Sequence, residues 1–162
     1  MNTVTWIHFG AVLSGFLLVV LPLLYAGIVD ARTKQIPNRV LPFLLASGVI
    51  HLMMAGFSLS AVFWAVIGFL AGGIPLLLLA FITKGKCVGF GDIKLAACAG
   101  FALGIASYLV LMAALCLFLI GSSIICIVKK LPLNTPLPFG PFYTVTVLVV
   151  YITIAIVTFF RF

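Results

Sequence analysis

The chain has 162 residues, 65% of them hydrophobic and only 7% charged, with nine Lys and Arg against two acidic residues and a formal net charge of +7. A soluble domain carries roughly a quarter charged residues, so this composition excludes a solvated globular surface and points to an integral membrane protein. The positive excess does not point to nucleic acid, because the basic residues fall in short clusters between apolar runs instead of forming one face or tail.

The apolar runs are continuous rather than alternating, which predicts spanning helices and not a barrel. The first span is predicted over about Trp6 to Val29. It is read as a retained helix, since it lacks a positive leading region, exceeds the length of a signal segment and precedes no small-residue cleavage site. The second begins after Ile36-Pro37-Asn38, near Arg39, and ends around Gly56. There Pro37 forces Ile36 out of the helical region, Asn38 is positioned to cap the helix, and Pro42 falls in a first turn where amides lack partners anyway. The third covers about Leu59 to Thr83, with Gly72-Gly73-Ile74-Pro75 marking a kink or a close helix contact. The stretch from Ile93 to Val128 is too long for one span and is predicted to break into two near Leu103–Ser107. The sixth covers about Phe142 to Phe160. The fold class is therefore all-α: a single polytopic membrane domain, residues 1–162, with six transmembrane helices.

Charge orients these spans. Arg32, Lys34 and Arg39 follow the first, Lys84, Lys86 and Lys94 the third, and Lys129 and Lys130 the fifth, so eight of the nine basic residues occupy alternate loops. The positive-inside rule makes those loops cytoplasmic and puts both termini outside. It also places Asp30, at the end of the first span, and Asp92, at the start of the fourth, on the same membrane face.

Each aspartate has an ordinary reading. Asp92 can cap a helix N-terminus, where the macrodipole favours an anion. Asp30 can pair with Arg32 or Lys34, although a carboxylate at a helix C-terminus is electrostatically disfavoured. As a pair they offer different chemistry. Two carboxyls in contact share one proton, so the ionised group activates water while the protonated one polarises a carbonyl. Opposed helix ends predict that Asp30 holds the proton at rest and Asp92 is ionised. Gly89 and Gly91 strip the backbone beside Asp92 and admit close approach of a peptide, and Lys94 can tune the pKa or position substrate, or simply extend to the headgroups. The other residues offer little. His8 and His51 read as packing residues near the outer face, and Cys87, Cys98, Cys116 and Cys126 contain no C-x-x-C pair, so neither metal nor cofactor is expected. A transporter or a non-enzymatic assembly factor is the alternative, though transporters place ionisable groups nearer the midplane.

Three segments carry a resemblance. "DARTKQIPNRV" (Asp30–Val40), "GFGDIKL" (Gly89–Leu95) and "LPFGPFY" (Leu137–Tyr143) together resemble the type IV prepilin peptidases, the GxGD-type intramembrane aspartyl proteases. The resemblance implies Asp30 and Asp92 as the catalytic pair and a prepilin as substrate, with a basic leader and a hydrophobic helix. It also implies cleavage at the cytoplasmic face of a bacterial inner membrane. Longer relatives carry an N-terminal cytoplasmic segment with paired cysteines, associated with methylating the new N-terminus. Without it this chain resembles the short, peptidase-only branch of Flp/Tad-type pili.

Overall fold

A computed structural model describes residues 16–54, 57–84, 88–104, 106–130 and 138–161. The start of the predicted first span, His8, Lys86, Cys87 and Leu137 lie outside the described residues, as does the His51 side chain. Every regular element among the described residues is helical. A π-helical turn, Phe16–Val20, runs directly into α1, Leu21–Thr33; then come α2, Val40–Met54, α3, Leu59–Ile82, α4, Phe90–Leu103, α5, Ala106–Val128, and α6, Gly140–Arg161.

Local chemistry sets several boundaries. Lys34 closes α1 in the left-handed conformation (φ 55°), its N–H returning to the Asp30 carbonyl at 2.8 Å. Ser58 caps α3, its hydroxyl accepting from Ala61 N–H at 3.2 Å. Gly104, at φ +59°, ends α4 inside the predicted break, where a residue with a side chain would be strained. One expectation is corrected. The start of α2 is closed by the backbone carbonyls of Pro37 and Asn38, accepting from Val40 and Leu41, and the Asn38 side chain instead lines a cleft.

The centre of the molecule is α4, buried along Leu95–Gly100 and packed by α2, α3, α5 and α6. Its most extensive contact is with α3, and small residues make that contact possible. A Cβ on Gly68 would run into the Gly100 and Gly104 carbonyls, one on Gly72 would strike the Ala96 carbonyl, and one on Gly73 would lie 3.1 Å from the Ala97 Cβ. The Gly72-Gly73 pair is thus a site of close helix approach, as the sequence suggests, with the α4 backbone as its partner. On the other side α1 packs against α6, and α5 against α6.

Among the described residues two helices, α3 over Leu59–Ile82 and α5 over Leu109–Val128, are long and apolar enough to cross a membrane. Val40–Ile50 and Gly140–Thr153 are shorter apolar stretches. With 14 residues, α4 rises only about 21 Å, less than the roughly 30 Å of a hydrocarbon core.

Candidate active site

Asp30 sits in the last turn of α1 and Asp92 in the first turn of α4, and both line one cleft of about 310 Å³. These are the only two acidic residues in the chain. Of the side chains singled out in the sequence, the cleft also gathers Gly89, Gly91 and Lys94, together with Lys34, Gln35, Ile36 and Asn38 from the α1–α2 turn. From sequence, Ile36 and Asn38 read only as turn and cap residues, and Gln35 has no role, because periodicity and spacing do not reveal which side of a turn faces a distant helix.

The two carboxylates are held by backbone amides. Asp92 is the third residue of α4, and its Oδ2 accepts the N–H of Gly89, the capping residue, at 3.1 Å. This is the side-chain half of a capping box, so the ordinary reading of Asp92 as a helix-end cap is correct as far as it goes. Asp30, 4% exposed, accepts the Gly140 N–H at 2.9 Å from a residue 110 positions along the chain. It does not pair with Arg32 or Lys34, which are exposed.

The third segment of the resemblance therefore has a place. Gly140 opens α6, and a Cβ there would lie 2.8 Å from Asp30 Oδ2. The first and second segments meet as well, since a Cβ on Gly91 would lie 3.3 Å from the Ile36 Cβ. Two stretches far apart in sequence line one cleft, and the third holds Asp30 through Gly140.

Both carboxyls lie just beyond the apolar spans drawn from the sequence, and burial pushes both upward. Asp30 is raised by desolvation, against which the Gly140 amide works. Asp92 is pushed up to about 6, first by desolvation and further by the charge of Asp30, with the Gly89 amide opposing. The helix-end expectation of an ionised Asp92 at rest thus meets two effects it did not include. Partial burial favours the neutral form of Asp92, and the α6 amide favours the anion of Asp30. Such a pair can present one acid and one base to a bound carbonyl and a water molecule.

Among the described residues no three His, Cys, Asp or Glu side chains cluster as metal ligands would. Cys98, one turn after Lys94 on α4, and Cys126 on α5 are buried, and Cys116 is exposed on α5.

The sequence model of the type IV leader peptidase family matches residues 16–160 of this chain. Among curated proteins the chain is similar to the prepilin leader peptidase/N-methyltransferase of Bacillus subtilis (strain 168), at 36% identity over 146 residues, covering 83% of this chain and 54% of that protein. The chain thus spans about half the length of the curated relative it matches. No solved structure matches it.

Proposed function

The chain belongs to the type IV leader peptidase family, and from that premise we propose that it is an aspartic endopeptidase that removes the basic leader of prepilins at the cytoplasmic boundary of a bacterial inner membrane. One observation carries the reading: the only two carboxylates of the chain line the same cleft, both with raised affinity for a proton.

The mechanism follows from that pairing. With one proton shared between them, the ionised aspartate takes a proton from a water molecule as its oxygen attacks the scissile carbonyl carbon. The protonated aspartate donates to the carbonyl oxygen, giving a neutral tetrahedral diol. Collapse breaks the C–N bond, the leaving amine takes a proton from the dyad, and the new carboxylic acid departs with the shared proton restored. The chemistry requires no metal and no cofactor. Gly89 and Gly91 leave the cleft wall bare beside Asp92, so an extended peptide backbone can approach it, and Lys34 and Lys94 border the same space.

In this reading the chain crosses the membrane six times with both termini outside. Lys34, Lys84 and Lys130, each left-handed just after α1, α3 and α5, then mark the cytoplasmic ends of those helices. The substrate's apolar helix stays in lipid while its leader junction enters the cleft. A transporter gains no support from this layout, since both carboxylates lie at helix ends and not along a broken mid-membrane helix.

Purified protein in detergent, given a prepilin-like peptide, is expected to cleave it equally with and without EDTA. A variant with all four cysteines changed to serine is expected to retain activity. Loss in either case would replace the carboxylate pair with metal or thiol chemistry.

A further inference from the structure

Asp30 occupies a poor position for a functional carboxylate. It lies in the final turn of α1, where unpaired carbonyls and the negative end of the macrodipole repel an anion, and its own helix supplies no donor to its side chain. The donor comes from the other end of the chain. Gly140 N–H reaches Oδ2 at 2.9 Å, and the carboxylate fills the space beside Gly140 so closely that an added Cβ would lie 2.8 Å from Oδ2 and 3.1 Å from the Asp30 Cβ.

The turn that carries this amide is itself fixed on two sides. Thr144, one turn along α6, has its hydroxyl 2.9 Å from both the Leu23 carbonyl of α1 and the Gly140 carbonyl of its own helix, so its single proton is shared between them. Gly27 leaves room for that hydroxyl, since a Cβ there would come within 2.7 Å of it. On the other side Phe118 of α5 packs edge-on against Phe139 and Phe142, with ring centroids 5.6 and 5.5 Å away. Pro141 has no N–H, so of the first two residues of α6 only Gly140 can donate.

We propose that the first turn of α6 is a positioning device for Asp30: the Gly140 amide sets the carboxylate's orientation in the cleft, the missing Gly140 side chain makes room for it, and Thr144 fixes the amide relative to α1. The inference rests on Asp30 being one of the reacting pair. A charge-assisted hydrogen bond is stronger than the helix-end repulsion it opposes, so the amide decides where the carboxylate rests. Without it the side chain is free to turn away from Asp92. The charged groups that line the cleft with Asp30 are Asp92 and Lys94 from α4 and Lys34 just beyond α1, and the first turn of α6 carries one titratable side chain, the buried Tyr143.

The test uses the full chain in detergent. Gly140→Ala is expected to lower kcat by about 100-fold with KM nearly unchanged, the scale of a misplaced catalytic group. Its pH profile is expected to move upward by about one unit, because a carboxylate that loses an amide donor binds its proton more tightly. Thr144→Val is expected to lower kcat about tenfold with a shift of the same sign, and Thr144→Ser to restore both. A purely structural role would reduce the active fraction and leave the profile in place, which would overturn the proposal. A readout independent of activity is the 15N-labelled Gly140 amide, whose resonance is expected to titrate in wild type and in Asp92→Asn but not in Asp30→Asn. A Gly140 amide indifferent to pH in folded wild type would also overturn it. If Asp30→Asn is inactive while Gly140→Ala keeps wild-type kcat and profile, the positioning role alone falls. If Asp30→Asn cleaves normally, the peptidase reading falls with it.

Discussion

Asp30 and Asp92 reach one cleft by different routes: Asp92 through a local cap on its own helix, Asp30 through an amide 110 residues away. Their identity was legible in the sequence because a chain so depleted in acids retains only these two. Gly89, Gly91 and Lys94 were legible as neighbours of Asp92. The Gly140 contact was not, because nothing local to Phe139-Gly140-Pro141 specifies which distant helix end its amide meets. The proton balance also depends on burial that spacing does not show. With Asp92 pushed up to about 6, kcat/KM is expected to fall about tenfold per pH unit once the dyad loses its last proton above roughly pH 6. Stability carries the same signature. The folded group binds its proton more tightly than an unfolded aspartate at about 3.9, so between about pH 4 and 6 the native state holds more protons. Stability therefore falls as pH rises through that window, by about 2 kcal/mol. Thermal melts in detergent are expected to show this decline in wild type and a flatter profile in Asp92→Asn; equal slopes would mean that Asp92 titrates normally.

At the scale of elements, most of the helices follow directly from the apolar runs. The predicted third span, Leu59 to Thr83, differs from α3 by one residue, and the predicted break near Leu103–Ser107 contains Gly104 with its positive φ. What the runs do not reveal is that the short α4 is central and that α3 lies directly on its backbone. Hydrophobicity reports burial in lipid and burial in protein alike, so a lipid-facing helix and a core helix read the same. The small residues carry the distinction: Gly68 and Gly72 on α3 face Ala96, Gly100 and Gly104 on α4. Gly68→Ala is expected to destabilise the fold by about 1 to 3 kcal/mol, because its Cβ meets backbone carbonyls that cannot rotate away. Since α4 carries Asp92, peptidase activity is expected to fall with the melting temperature. A Gly68→Ala variant with wild-type melting would show that α3 and α4 do not pack this closely.

At the scale of the whole molecule, the charge pattern and the site agree without having been fitted to each other. The positive-inside reading of Lys and Arg alone assigns the α1–α2, α3–α4 and α5–α6 connections to one side, and the cleft is lined from the first two of these connections, with the start of α6 bonded to Asp30. In a cysteine-free background, Lys34→Cys and Lys130→Cys are expected to react with a membrane-impermeant thiol reagent only from the cytoplasm, and Phe57→Cys only from outside. Labelling of residue 57 from the cytoplasm would break the six-span threading. The central claim is that the two aspartates form the cleaving pair, and coexpression with a prepilin bearing a basic leader tests it most directly. The account predicts the mobility shift of leader removal with wild type, and uncleaved prepilin with Asp30→Asn and with Asp92→Asn at equal expression in the membrane. Normal processing by either variant would contradict it.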